Sequence, residues 1–165
     1  MNKSQKVAFL GAMTALGMIL SYVDSMISIL PSIPGVRLGI ANSVGVFLLY
    51  YAGARTALAV TVVRVVLSGV LFYGNVYHIA YGLSGALVAF LCMYALKRSA
   101  RFSVTGVSIG GGVAHNIGQI ACVALFTRTP EIVSYLPVLL VVGCVCGMCI
   151  GILSAVIMKR FGVKI

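Results

Sequence analysis

Long apolar runs alternate with short clusters of basic and turn-forming residues along the whole chain. The runs read as membrane spans at about 7–29, 38–53, 56–73, 77–96, 105–127 and 132–158, since a hydrocarbon core of about 30 Å takes about 20 residues of helix. The breaks fall at Pro31 to Arg37, Gly53 to Arg55, Gly74-Asn75, Lys97 to Ser103 and Thr127 to Glu131. Span 38–53 is short and Gly-rich, which points to a tilted, broken or partly re-entrant helix. The pattern predicts an all-α integral membrane protein, a single transmembrane domain over residues 1–165 built as a six-helix bundle.

Composition sharpens this. Of 165 residues, 61% are hydrophobic and 8% charged, against roughly 25% charged in a soluble domain; mean hydropathy is +1.14. Soluble, disordered and collagen-like classes are excluded on that ground. Twelve Lys and Arg stand against two acidic residues, for a net charge of +10. In a soluble protein that balance would suggest nucleic acid; here it reports orientation. With the N-terminus inside, Lys3, Lys6, Arg55, Lys97, Arg98, Arg101, Lys159, Arg160 and Lys164 fall in the cytoplasm. Arg37 and Arg128 fall outside, and Arg64 lies within a span. Both termini are therefore expected in the cytoplasm and the chain in the cell membrane, with the lipid bilayer as partner and no nucleic acid. No cleavable signal peptide is read. The five cysteines, Cys92, Cys122, Cys144, Cys146 and Cys149, sit in apolar runs. On a helix Cys144 and Cys146 point about 200° apart, so packing, and neither a disulfide framework nor a metal site, is expected.

Small residues indicate how helices meet. Gly106, Gly110, Ala114 and Gly118 recur every four residues, as do Gly143, Gly147, Gly151 and Ala155. Such stripes let backbones approach closely in lipid, and internal packing is expected of them. The first span carries two overlapping pairs, Ala8/Ala12 and Gly11/Ala15, which fit an internal contact and an external partner equally.

Candidate chemistry rests on polar residues at depth. Arg64 lies midway between Arg55 and Tyr73, where an unpaired guanidinium is costly; an ion pair with Asp24 is one reading. His115 lies at similar depth, followed by Asn116 and Gln119, with Gln119 on the His115 face. An interhelical hydrogen bond is the plain role for His115 and Asn116; together with Arg64 and Gln119 they also suit the floor of a polar cavity. Arg37 and Asn42 open the second span, and Asn75, Tyr77, His78 and Tyr81 cluster where the fourth begins. The last three share one helical patch and suit a ligand wall, whereas Tyr50, Tyr51 and Tyr135 fit an interfacial belt. Arginine forks favour an anionic ligand. There is no phosphate-binding Walker loop, and two acidic residues cannot build a carboxylate cluster for Mg²⁺. No catalytic residue, cofactor or metal is therefore nominated.

The strings Ala8-Phe9-Leu10-Gly11-Ala12-Met13-Thr14-Ala15 and Pro34-Gly35-Val36-Arg37-Leu38-Gly39-Ile40-Ala41-Asn42 resemble the substrate-binding S components of energy-coupling factor (ECF) transporters. Among these the chain is most similar to the Gx transporter family, whose members are often labelled heptaprenyl diphosphate synthase component I. The resemblance implies a bacterial six-helix component, not itself an enzyme, that takes up a vitamin or related micronutrient near the outer surface. It also implies a membrane coupling subunit and two cytoplasmic ATPases as partners, with Ala8 and Ala12 on the docking surface. Prenyl diphosphate synthases carry two aspartate-rich motifs, which this chain lacks. The label still allows a quinone- or isoprenoid-related ligand. A non-catalytic membrane subunit of a prenyl synthase, and a membrane enzyme using His115 as acid or base, stay open.

Overall fold

The computed structural model describes residues 2–27 and 39–163. It is 87% helical and strand-free among the described residues. The elements are α1 (Lys3–Met26), α2 (Asn42–Tyr51), α3 (Ala54–Ser68), α4 (Val76–Arg98), α5 (Val104–Thr127) and α6 (Leu136–Arg160). A π-helical turn, Gly69–Tyr73, extends α3, and a 3-10 turn, Pro130–Tyr135, leads into α6.

Five of the expected spans are helices long and apolar enough to cross a membrane. The second is not of that length. α2 has ten residues, about 15 Å at 1.5 Å per residue, or half a hydrocarbon core. Its limits are set by glycines in the left-handed region, Gly39 (φ 80°) before it and Gly53 (φ 86°) after it, a conformation that favours residues lacking a Cβ. The Gly39 carbonyl accepts from Asn42 N–H at 2.9 Å, so the helix begins only there. Seven of its ten residues are buried, which satisfies the requirement that non-spanning backbone at membrane depth be enclosed by protein.

α2 ends where α1 begins and α6 ends. Tyr51 lies 5.3 Å from Phe9 and 5.4 Å from Phe47, and Phe47 lies 6.0 Å from Phe161, ring to ring. The main apolar core gathers at this end of the bundle, from Phe9 and Leu10 to Met158 and Val163.

α5 makes its broadest contacts with α4 and α6, and the small-residue stripes account for both. A Cβ on Gly118 would stand 2.8 Å from the Ser84 carbonyl oxygen of α4. One on Gly147 would stand 2.7 Å from Ile109 Cα of α5, and one on Gly112 would strike the Gly143 carbonyl. The two stripes thus do not face each other: that of α5 meets α4, while that of α6 meets Thr105, Ser108 and Gly112 on another face of α5. α1 differs. Ala8, Gly11, Ala12 and Ala15 are all exposed, and nothing lies within 4 Å of a Cβ placed on Gly11.

Candidate ligand-binding site

Deep in the bundle, four helices bring polar side chains together. α1 supplies Ser21 and Asp24, α2 Asn42, α3 Arg64, and α5 His115 and Gln119, each more than nine-tenths buried. Arg64 Nη1 donates to Ser21 Oγ at 2.7 Å. Asp24 Oδ2 accepts from Gly39 N–H at 2.9 Å, which ties α1 to the turn that opens α2. Burial of a guanidinium in a membrane interior is tolerated only with such partners. Glycines make the room: a Cβ on Gly17 would come within 2.5 Å of Arg64 Cδ, and one on Gly85 within 2.7 Å of Gln119 Cγ and 2.9 Å of His115 Cε1. The cavity these groups enclose is about 10 Å³, the space of about one water. The cluster is packed on itself.

A larger cavity, about 720 Å³, lies at the end of the bundle away from the main apolar core. Asn75, Tyr77, His78 and Tyr81 at the start of α4 form one wall. Thr127 at the end of α5, and Thr129, Glu131 and Tyr135 on the connection to α6, form the other. The volume lies within the range of about 300–1,000 Å³ usual for small-molecule sites. Local geometry explains the wall. Gly74 (φ 57°) ends the π-helical turn, and Asn75 caps α4 by accepting from Tyr77 N–H at 2.9 Å. Tyr77 and Tyr81 then stand 6.5 Å apart, and Phe126 packs edge-on to both at 6.0 and 6.2 Å. Edge-on packing of this kind fixes ring planes.

The residues nominated from sequence therefore divide into two groups. Asn42, Arg64, His115 and Gln119 meet in the deep cluster; Asn75, Tyr77, His78 and Tyr81 meet at the outer cavity. The two cavities share no lining residue, and they touch in sequence only at Tyr81 and Gly82. Asn116 joins neither. It points at α6, where its Nδ2 donates to the Leu139 carbonyl at 2.6 Å, the interhelical hydrogen bond that was its plainer role. Arg37 lies outside the described residues. Sequence reasoning did not nominate Ser21, Gly39, Thr127 or Thr129, and read Glu131 only for topology. Tyr135, assigned to a belt, lines the outer cavity. The five cysteines are free thiols.

The family model for heptaprenyl diphosphate synthase component I matches residues 13–157. The chain belongs to that family. No curated protein and no solved structure matches it. The family description invites a test against diphosphate chemistry, in which clustered carboxylates hold Mg²⁺ on the phosphates. The chain's two carboxylates line different cavities, Asp24 the deep one and Glu131 the outer one, so no such cluster is built.

Proposed function

We propose that this chain is the substrate-binding membrane component of an ECF-type uptake transporter, with its termini in the cytoplasm and the 720 Å³ cavity open to the outside. That cavity is the observation carrying the proposal: it is large enough for a vitamin-sized molecule, walled by three tyrosines, a histidine and one carboxylate, and backed by a buried polar cluster. Its described lining contains no arginine, which favours an aromatic or ring-bearing metabolite over a simple anion. The deep cluster holds α1, α2, α3 and α5 in register behind it. The exposed Ala8/Gly11/Ala12/Ala15 face of α1 is the docking surface for the coupling subunit, a smooth ridge to which a partner helix can pack closely, with the ATPases beyond it.

Native mass spectrometry of the detergent-purified chain, with denaturing extraction of what it retains, tests this. One stoichiometric small molecule, lost in Tyr81→Ala, is the expected result. A mass without small ligand, after incubation with cell extract, would remove the transport reading.

The family description favours a second reading, a non-catalytic membrane subunit of a prenyl synthase. It predicts co-purification with a soluble isoprenoid enzyme in place of ATPases, and no saturable small ligand.

A further inference from the structure

A third cavity, about 640 Å³, opens at the opposite end of the bundle, between the α4–α5 connection and the end of α6. We propose that it binds the phosphate head of an amphiphile, a phosphomonoester or diphosphate whose apolar chain lies along the bundle. The inference is independent of the transport reading.

Charge is the first argument. Lys97 and Lys159 both line the cavity, and among the described residues no carboxylate does; Asp24 and Glu131 line the deep and outer cavities. Two lysines bordering one space give it a positive potential, which an anion bound there would offset. Basic recesses between transmembrane helices are built to take anionic head groups in this way.

Positioning is the second. Lys97 is not a free surface lysine. It is half-buried, donates to the Leu49 carbonyl at 2.6 Å, and sits 4.5 Å from the centre of the Tyr50 ring. An ammonium has three donors, so capping the last turn of α2 uses one and leaves two. Ser103 and Thr105, at the start of the 24-residue α5, border the same space and add hydroxyl and first-turn amide donors of the kind that suit phosphate.

Shape is the third. Tyr50, Phe102, Val104 and Ala155 give the cavity an apolar side. A free inorganic anion would leave that side unused, whereas an amphiphile fills both halves.

The test uses the purified full chain in neutral detergent, titrated with dioleoyl phosphatidic acid, dioleoyl phosphatidylcholine or inorganic pyrophosphate, with adducts counted by native mass spectrometry. One phosphatidic acid per chain is expected, bound at least about fivefold more tightly than phosphatidylcholine, and Lys159→Gln and Lys97→Gln should each weaken it about fivefold. Arg128→Gln, at the other end, should leave it unchanged. Pyrophosphate that displaces the lipid with the same lysine dependence identifies the phosphate head as the recognised group and a soluble phosphate as a sufficient source. Failure to displace assigns the site to lipid. Equal binding of the two lipids, a preference that survives Lys159→Gln, or an equal loss in Arg128→Gln overturns the proposal. Should Lys97→Gln not fold, because Lys97 supports α2, the exposed Lys159 decides alone.

Discussion

Gly147 and Gly11 both belong to small-residue patterns on apolar helices, yet alanine should act oppositely at the two. A Cβ on Gly147 meets Ile109 Cα at 2.7 Å and the Ser108 carbonyl oxygen at 2.8 Å. Both are backbone atoms, so no side chain can swing away and α6 must move off α5. Overpacking of this kind costs about 1–3 kcal/mol. The same displacement stretches the 2.6 Å bond from Asn116 Nδ2 to the Leu139 carbonyl, and interhelical hydrogen bonds in membranes are worth about 0.6–1.7 kcal/mol. Gly11 has nothing within 4 Å of the new methyl, so Gly11→Ala gains only helix propensity, about 0.5–1 kcal/mol. That gain is common to both variants and cancels between them. Gly147→Ala should therefore be less stable than Gly11→Ala by about 2–5 kcal/mol. Unfolding by sodium dodecyl sulfate in mixed micelles, followed by circular dichroism, measures the gap. Midpoints within about 0.5 kcal/mol of each other would refute the close α5–α6 contact.

Asn116→Ala should lower stability by about 1 kcal/mol in the same titration while leaving retention of the small ligand intact, since Asn116 faces α6; loss of ligand without loss of stability would return it to the site. Gly85→Ala inserts a methyl 2.9 Å from His115 Cε1, so the His115 ring should shift and its NMR cross-peaks move; an unchanged spectrum would show slack in the cluster. Replacing Ala8 and Ala12 with Leu should abolish co-purification with a coupling subunit without altering the melting profile, because both positions are exposed; an unaltered complex would place docking elsewhere.

The five long helices were legible because each is a long apolar run bordered by Lys, Arg, Gly, Asn or Pro. α2 was less so: its sequence from Asn42 to Tyr51 looks like any apolar stretch, and its half-length depends on the backbone of Gly39, held by Asp24 from another helix. Arg64, His115 and Gln119 announced themselves by being polar at depth. Ser21 did not, since a lone serine in an apolar helix ordinarily bonds its own backbone. Nor did Gly17 and Gly85, whose role is to leave space for side chains on other helices. The outer cavity was half visible, as the Tyr77/His78/Tyr81 patch. Its second wall comes from the Thr127–Tyr135 connection, which only tertiary folding brings opposite. The basic recess was hidden by its own topology signal, for Lys97 and Lys159 read first as markers of membrane sidedness.

The half-length of α2 raises a question of parity. Five long helices, taken alone, would deliver the start of α1 and the end of α6 to opposite faces of a bilayer. Instead Phe9, Tyr51, Phe47 and Phe161 form one run of rings, so α1 begins and α6 ends at the same end of the bundle. Between α1 and α3 the chain therefore returns to that end, and α2 is the described helical part of the return. Reporter fusions before α1 and after α6 should light up in the same compartment, although a count of long helices would assign them to two.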